Sequence, residues 1–339
     1  MLEIKRDGYS VSFDNGQHTL SVLGGHFGGM EISPAPLFFA RAKRVSDGKG
    51  ISFSSADTWR RVTVLEDGNG YYFKFDDPCE ISGISVEYKA ELSESGIYWT
   101  GSVTNNSREW SVMEITYPAL SIGRESFDLF VPETSGIVIK DAGRRGYVHM
   151  GNPAFSMQFF AAYGNGDGVY IGIHDPVPVI KRYDVSASDG NARFLVYMVG
   201  EDGSLAGNSF SLAGKCVWRV LYGDWFDAAK IYSEFVRAEA RWIPEIKEDG
   251  RVDTPREFKE FPFWVCDYIP NSKSQGNNKP MKLSAGSDIY SEGYWYNAVI
   301  ELQKILDVPI AYHVYNWHSN PFNVNYPASE SFPTSQLFT

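Results

Sequence analysis

The stretch Pro309–His318 reads Pro-Ile-Ala-Tyr-His-Val-Tyr-Asn-Trp-His and precedes a polar segment that contains prolines. Side chains of a strand point to opposite faces in turn, and both faces of this stretch are largely apolar until its end. A strand that is apolar on both faces is typical of a parallel sheet covered by helices. Polar and aromatic residues at the carboxyl end of such a strand are typical of the working face of a (β/α)8 barrel. We therefore expect a barrel strand with functional residues at its end.

A second buried strand lies upstream of this one. The segment Phe-Pro-Phe-Trp-Val-Cys-Asp ends in a carboxylate, Asp267, and a polar loop at 271–284 follows. The loop is followed by a helical apolar stripe made of Trp295, Ala298, Val299, Leu302, Ile305 and Leu306. Strand, loop, helix and strand form a βαβ unit with parallel strands. Residues 261–339 are therefore predicted to contain the first βαβ unit of a truncated TIM barrel.

The first two thirds of the chain have a different periodicity. Runs with alternating polarity, or rich in β-branched and aromatic residues, alternate with turn-forming residues such as Asn165-Gly166 and Asp189-Gly190. The runs are Tyr9–Phe13, His18–Leu23, Arg61–Leu65, Tyr71–Phe75, Ile84–Leu92, Ile97–Val103, Ser111–Leu120, Ser156–Tyr163, Val169–His174, Ala192–Met198 and Ser209–Arg219. So many strands without a convincing helix between them predict a large antiparallel β-sandwich.

A helix is predicted to connect the two parts. It begins with Asp224 as N-cap and extends to about Arg241, and its apolar residues recur at helical spacing. The polar stretch 245–260 that follows is typical of an exposed linker. We expect a fold that is mainly β with a C-terminal α/β part. Its predicted domains are a β-supersandwich at 1–218, a helical connection and linker at 219–260, and an incomplete barrel at 261–339.

The charge and composition exclude several classes of partner. The formal net charge is −11, whereas binding to nucleic acid or to an anionic membrane surface needs clustered Lys and Arg. Residues are 43% hydrophobic and 22% charged, and no apolar run approaches the ~18 residues of a membrane helix. The N-terminus lacks the apolar core of a secretion signal. We expect a soluble protein that binds neither nucleic acid nor membrane and is located in the cytoplasm.

No cofactor and no metal site is predicted. Cys79, Cys216 and Cys266 have no spacing that indicates a disulfide framework or a zinc motif, and we expect buried free thiols. The Asp-Gly turns lack the alternating oxygen ligands and the final Glu of a calcium loop. His313 and His318 do not have a zinc spacing, and we expect His313 to be a core histidine.

Several segments together resemble one type of enzyme. The large β-sandwich, the helix Gly-Asp-Trp-Phe-Asp-Ala-Ala-Lys-Ile-Tyr, the strand Phe-Trp-Val-Cys-Asp and the strand Tyr-His-Val-Tyr-Asn-Trp-His resemble glycoside hydrolases with a galactose-mutarotase-like N-terminal supersandwich. In those enzymes a (β/α)8 catalytic barrel follows the sandwich. The chain also resembles an uncharacterised bacterial family, numbered 6259 among domains of unknown function, and more distantly endo-α-N-acetylgalactosaminidases. This resemblance implies a carbohydrate partner, an oligosaccharide or a glycoconjugate.

The resemblance also bears on catalysis. Glycoside hydrolysis ordinarily needs two carboxyl groups, one protonated and one ionised. Related barrels carry these groups on strands later than the two that are predicted here. We therefore assign no catalytic residue and expect the chain to be the N-terminal portion of a glycoside hydrolase, inactive by itself.

Candidate substrate-binding residues stand at the ends of the two predicted barrel strands. For Asp267 the resemblance implies hydrogen bonds to sugar hydroxyls, and a cap for the following helix or loop is an equal alternative. At Trp317 and His318 an indole can stack on a pyranose ring and an imidazole can bond its hydroxyls, a role that we favour over packing. Asn316, just before them, is a further candidate contact.

Two alternatives to a glycoside hydrolase stay open. Aldose mutarotases have a similar sandwich and use a His and a Glu for acid–base ring opening, which brings His149, His174 and Glu201 into consideration. However, His174 is more naturally a strand end before a turn, and no motif pairs it with Glu201. The sandwich can also be a non-catalytic carbohydrate-binding or scaffolding module. The chain's 20 Tyr and 9 Trp permit sugar stacking, although most aromatic residues of β-proteins lie in the core.

Overall fold

The computed structural model describes residues 1–78, 81–150, 155–268 and 294–315, without the side chains of 150, 257, 266–268, 294–298 and 313–315. The chain divides into two compact units, residues 1–243 and 244–339. This division lies inside the predicted connection at 219–260, and the predicted three-part division stays a prediction.

The strands of the first unit are β1 (Leu2–Arg6), β2 (Tyr9–Asn15), β3 (Leu20–Phe27), β4 (Met30–Ile32), β5 (Ala35–Pro36), β6 (Phe39–Arg44), β7 (Gly50–Ser54), β8 (Trp59–Glu66), β9 (Gly70–Pro78), β10 (Ile84–Leu92), β11 (Gly96–Asn105), β12 (Trp110–Thr116), β13 (Leu120–Gly123), β14 (Asp128–Val131), β15 (Ile137–Ile139), β16 (Tyr147–Met150), β17 (Phe159–Gly164), β18 (Asp167–His174), β19 (Lys181–Ser188), β20 (Asn191–Val199), β21 (Phe210–Ser211) and β22 (Lys215–Tyr222). Its helices are α1 (Ala142–Arg145) and α2 (Trp225–Glu239). The second unit contains β23 (Ile246–Lys247), β24 (Gly250–Arg251), α3 (Arg256–Glu260), β25 (Phe263–Tyr268), α4 (Tyr294–Leu306) and β26 (Ile310–Tyr315).

The strands of the first unit form two large antiparallel sheets. The first sheet has the order β1-β2-β3-β4-β13-β20-β12-β6-β7, with β5 beside β3 and with β19 and β16 on the other side of β20. The second sheet has the order β15-β14-β17-β18-β22-β11-β10-β9-β8, with β21 beside β11. Every pairing in the two sheets is antiparallel. The mainly β, antiparallel architecture predicted from the sequence is confirmed.

The core of the first unit lies between the two sheets. Trp59, Trp99 and Trp218 are fully buried there. The ring of Phe27 in the first sheet meets the Trp218 ring of the second sheet edge-on, with ring centroids 6.3 Å apart. Apolar side chains that alternate along each strand thus bury one face of each sheet against the other.

Tight hairpins form where the sequence predicts them. Asn165 and Gly166 connect β17 to β18 with φ of 54° and 89°, and Asp189 and Gly190 connect β19 to β20 with φ of 50° and 75°. Positive φ at both central residues is the two-residue turn whose twist suits antiparallel strands.

Two predicted strands are each broken in two. The run Ser111–Leu120 is divided into β12 and β13 around Pro118, which has no N–H to donate. The run Ser209–Arg219 is divided into β21 and β22, and Gly214 between them has a φ of 72° that other residues rarely adopt.

The predicted helix is α2, and a local motif sets its start. Asp224 accepts a hydrogen bond from Phe226 N at 2.8 Å, and the Asp227 side chain accepts one from Asp224 N at 3.2 Å. The helix buries Tyr232 and Phe235 in a second, smaller core on the outer face of the second sheet. Helix α2 is therefore part of the first unit.

The second unit contains the predicted βαβ arrangement. Strands β25 and β26 pair in parallel, and α4 lies between them in the chain. Phe263 and Trp264 are adjacent in β25 and therefore lie on opposite faces, and they are 48% and 55% exposed. The strand thus has apolar residues on both faces, as the sequence predicts.

Three further observations concern thiols, metals and membranes. Cys216 is a buried free thiol, as predicted, and burial raises its pKa well above the ordinary value. Cys79 and the side chain of Cys266 lie outside the described residues. Within the described part of the chain, no cluster of three or more His, Cys, Asp or Glu could hold a metal ion, and no helix is long and apolar enough to cross a membrane.

Candidate functional site

The register of β25 and β26 fixes the backbone position of Asp267, one of the four residues of the predicted sugar subsite. Asp267 is paired with Val314, and Tyr268 is paired with Tyr315 at the end of both strands. Residues 316–318 follow Tyr315 directly. The carboxyl ends of parallel neighbours lie at one edge, about 5 Å apart. The backbone of Asp267 and the end of β26 at Tyr315 therefore lie at one edge.

The side chains of this predicted subsite remain a prediction. Asn316, Trp317 and His318 lie outside the described residues, and so does the Asp267 side chain. The same holds for the His313 side chain, predicted to lie in the core.

The mutarotase candidates contact different residues of the sandwich. His174 Nε2 and the Tyr170 hydroxyl are 2.8 Å apart and share a hydrogen bond, and the His174 ring stacks on Phe235 of α2 with centroids 4.3 Å apart. His149 Nδ1 lies 3.7 Å from a Glu133 carboxylate oxygen. Glu201 is exposed in a turn. Among the described contacts, none joins His174 to Glu201, so the pair needed for ring opening is not formed.

Burial of His174 makes the stability of the first unit depend on pH. Its pKa is lowered from 6.5 to about 4, because burial disfavours the charged ring and Arg219 and Lys215 repel it. The unfolded chain takes up this proton as pH falls through about 6.5, whereas the folded chain does so only near 4. The contribution of the neutral, buried His174 to the free energy of unfolding is therefore complete above pH 6.5 and is lost as pH falls from 6.5 to 4.

We expect the folded state to lose roughly 2 kcal/mol between pH 7 and pH 5 through His174 alone. The double substitution Tyr170→Phe, His174→Phe removes the titrating ring and both partners of its hydrogen bond, so no buried polar group is left unpaired. Urea unfolding of both proteins at the two pH values measures the difference. An equal loss of stability in parent and variant would rule out His174 as the source.

A cleft of about 320 Å³ with both polar and apolar lining lies on the outer face of the first sheet. Strands β6, β7, β12, β19 and β20 supply most of its wall. The lining residues are Phe39, Ala40, Arg41, Ser52, Phe53, Ser54, Asp57, Glu114, Arg182 and Tyr197. We call it the outer-face cleft.

A charge network organises the outer-face cleft. Glu114 Oε2 accepts a hydrogen bond from Arg182 Nη1 at 3.0 Å, and Arg41 Nε lies 3.4 Å from Glu114 Oε1. Arg182 also lies flat over the Tyr197 ring, with Cζ 3.8 Å from the centroid. The Glu114 side chain is only 13% exposed, and its negative charge is paired with the guanidinium groups of Arg41 and Arg182.

A β-bulge places Glu114 in this network. Along β12, Val112 pairs with Ala42 of β6 and Glu114 pairs with Arg41, so Met113 is one residue more than β6 provides. The extra residue reverses which side chains face the core beyond the bulge. Val112 and Ile115, three residues apart, can therefore both be buried in the core. Glu114 consequently faces outward.

A second cleft of about 370 Å³ lies on the second sheet and is lined by Gln17, Arg60, Arg61, Asp76, Asp77 and Ser85. Arg61 pairs with Asp76 at 2.9 Å, and its side chain is 66% exposed. The sequence singled out neither cleft, because Arg41 and Arg60-Arg61 have the pattern of solvated strand ends. Their partners lie far away in the chain, so no local motif identifies them.

Residues 210–337 match the model of the family described as "Domain of unknown function (DUF6259)". The chain is 24% identical over 191 residues to "Putative glycoside hydrolase 22789" of Monosiga brevicollis, a match that covers 53% of this chain and 15% of that protein. The predicted resemblance to family 6259 is confirmed over the matched residues. Over that match the chain is distantly similar to a putative glycoside hydrolase.

One solved structure has a similar fold, and a second matches with a TM-score below 0.5. The first is the α-N-acetylgalactosaminidase NagBb of Bifidobacterium bifidum, with a TM-score of 0.61 and 16% identity, covering 98% of this chain and 55% of that chain. The second is the GH36 α-galactosidase AgaA of Geobacillus stearothermophilus, with a TM-score of 0.46 and 9% identity, covering 78% and 45%. The chain thus spans about half the length of the NagBb structure, and that likeness concerns the fold.

Proposed function

We propose that this glycoside-hydrolase-like chain is the N-terminal portion of an enzyme that cleaves O-glycosidic bonds. The family match and the likeness to a putative glycoside hydrolase support this function. The chain spans only part of the relatives it matches. In the proposed enzyme, the two catalytic carboxyl groups lie on barrel strands that follow β26.

The parallel register of β25 and β26 is the observation that carries this proposal. Functional residues of α/β barrels stand at the carboxyl ends of the strands, where loops from neighbouring strands meet. Asp267 stands at such an end, and residues 316–318 follow the other. We assign a sugar subsite to Asp267, Asn316, Trp317 and His318.

The chemistry of these four residues suits a sugar. A carboxylate, an amide and an imidazole can exchange hydrogen bonds with hydroxyl groups, and an indole offers a flat apolar surface to the ring. None of these roles requires a cofactor. The proposed partner is an oligosaccharide or a glycoconjugate.

Exposed apolar side chains of the second unit support the barrel. Phe263 and Trp264 of β25 are about half exposed, and Ile300 and Ile305 of α4 are 42% and 78% exposed. Strands of a parallel barrel are covered on both faces, by the filled interior and by the outer ring of helices. Further βα units would cover these side chains.

The coding sequence downstream of Thr339 tests the enzyme proposal directly. We expect about six further βα units, as a (β/α)8 barrel requires, with two Asp or Glu residues at strand ends. An in-frame stop codon without such a continuation would overturn the enzyme proposal and favour a carbohydrate-binding or scaffolding sandwich.

Replacing Trp317 by alanine in the full-length enzyme should weaken glycan binding by about 1–3 kcal/mol, because a central aromatic anchor contributes about that much at other interfaces. Titration calorimetry with a glycan found by screening the parent protein measures the change in Kd. The melting transition of the sandwich should stay nearly unchanged.

Trp225→Ala provides the matched control for this experiment. Trp225 is a partly exposed tryptophan on α2 in the first unit, and its loss should leave glycan binding unchanged. If Trp317→Ala unfolds the protein while a screen of the intact parent finds no ligand, Trp317 is a packing residue.

A further inference from the structure

We infer that the outer-face cleft binds a neutral sugar, as a second carbohydrate site on the sandwich that is independent of the subsite proposed at the ends of β25 and β26. Its volume of about 320 Å³ is at the lower end of the range for small-molecule pockets, which is about 300–1,000 Å³. A ligand of one or two sugar rings suits that size.

The charges that line the cleft favour a neutral ligand over an ion. Arg41 and Arg182 contribute two positive charges, and Asp57 and Glu114 contribute two negative charges. The formal sum over the lining residues is therefore zero. Asp184, 3.4 Å from Arg182 Nη2, and Arg193, over the Phe39 ring, add one charge of each sign beside them. Both carboxylates would repel an anion, and both guanidinium groups would repel a cation. Hydroxyl groups carry no charge and can both donate and accept hydrogen bonds.

The arginines hold hydrogen-bond donors that the protein does not use. Arg182 Nε is buried and has no hydrogen-bond partner among the described residues. Arg41 contacts Glu114 through Nε, and its two terminal nitrogens make no hydrogen bond within the described part of the chain. The Arg41 side chain is 55% exposed, so a ligand oxygen can reach its terminal nitrogens and accept hydrogen bonds from them.

Glu114 and Tyr197 hold these donors in position. Glu114 Oε1 contacts Arg41 and Glu114 Oε2 contacts Arg182. The Tyr197 ring packs against one side of the Arg182 guanidinium. Side chains that are already ordered lose little conformational freedom when a ligand binds. Phe39 and Phe53 add apolar surface to the wall, which suits the C–H face of a sugar ring.

Saturation-transfer NMR on the 339-residue chain tests this site. The probes are methyl α-galactoside, methyl α-N-acetylgalactosaminide and methyl α-glucoside at millimolar concentration, with methyl glucuronide as the anionic counterpart. We expect saturation transfer to at least one neutral glycoside. Arg182→Ala and Arg41→Ala should each weaken its binding about tenfold or more, because a hydrogen bond to a charged group contributes about that much.

Two variants serve as controls. Arg61→Ala removes an exposed, ion-paired arginine from the second sheet and should leave the binding unchanged. Trp225→Ala should also leave it unchanged, because this partly exposed tryptophan of α2 does not line the cleft. Arg41 is exposed on β6, so its variant keeps the test valid if Arg182→Ala does not fold.

Three results would overturn the inference. They are the absence of saturation transfer to every neutral glycoside, transfer to the glucuronide alone, and unchanged affinity in the arginine variants. A failure of this site would leave the proposed enzyme function standing, because that function depends on the sequence after β26.

Discussion

Replacing Asp175 by alanine should destabilise the first unit by about 3–5 kcal/mol, the cost of breaking a buried ion pair on one side. The Asp175 and Lys181 side chains are 2% and 1% exposed. Asp175 accepts hydrogen bonds from Lys181 Nζ and from the backbone N–H groups of Val177 and Val179. Burial lowers the pKa of Lys181, and Asp175 opposes that shift. Without the carboxylate, the ammonium group would be left buried and uncompensated.

A double substitution separates the charge effect from the loss of backbone hydrogen bonds. Asp175→Asn with Lys181→Met removes both charges and keeps one oxygen that can accept from one of the two N–H groups, so it should cost clearly less than Asp175→Ala. Asp67→Ala is the matched exposed control, since its pair with Lys89 is half exposed and should contribute at most about 1 kcal/mol. Guanidinium unfolding at pH 7 gives all three values. Equal losses for Asp175→Ala and Asp67→Ala would contradict the prediction.

Replacing Trp218 by alanine should cost about 3–5 kcal/mol, because it opens a cavity between the two sheets. The Trp218 side chain is fully buried. Its ring centroid lies 5.0 Å from that of Trp99 in the same sheet and 6.3 Å from that of Phe27 in the other sheet. The substitution therefore removes contacts within one sheet and across the core.

Two further substitutions on strand β22 provide the comparison for Trp218→Ala. Trp218→Phe keeps a ring in the core and should lose clearly less than Trp218→Ala. Tyr222 is exposed at the end of β22, so Tyr222→Ala should cost under about 1 kcal/mol, within the range of strand propensities. Thermal and denaturant unfolding measure the three variants. If Trp218→Ala costs no more than Tyr222→Ala, the two sheets are not held together through this residue.

Several elements could be predicted because the interactions that form them are local. Helix α2 starts after Asp224 because the Asp224 side chain accepts from the Phe226 N–H and the Asp227 side chain accepts from the Asp224 N–H. The Asn165-Gly166 hairpin forms because its two residues tolerate positive φ. The parallel pairing of β25 and β26 follows from the order strand, helix, strand. Each signal lies within a short window of sequence.

Other strands give a weak signal because distant contacts decide their burial. Strand β19 has Lys181 at a buried position, and that position becomes acceptable only when Asp175 accepts its hydrogen bond. Strand β6 buries Ala40 and Ala42, and alanine has a low strand propensity. Neither strand is predicted from the sequence, because a lysine in β19 and small alanines in β6 obscure the apolar alternation that identifies a strand.

The sequence by itself determined the antiparallel β architecture, the start of α2, the βαβ order of the second unit and the resemblance to glycoside hydrolases. The tertiary structure alone brought Arg41, Glu114 and Arg182 together, from three strands of the first sheet. It also decided that His174 is buried against Phe235, and not paired with Glu201. The physical reason is distance along the chain. Local backbone preferences act over a few residues, whereas a cleft or a buried charge depends on which remote strands become neighbours.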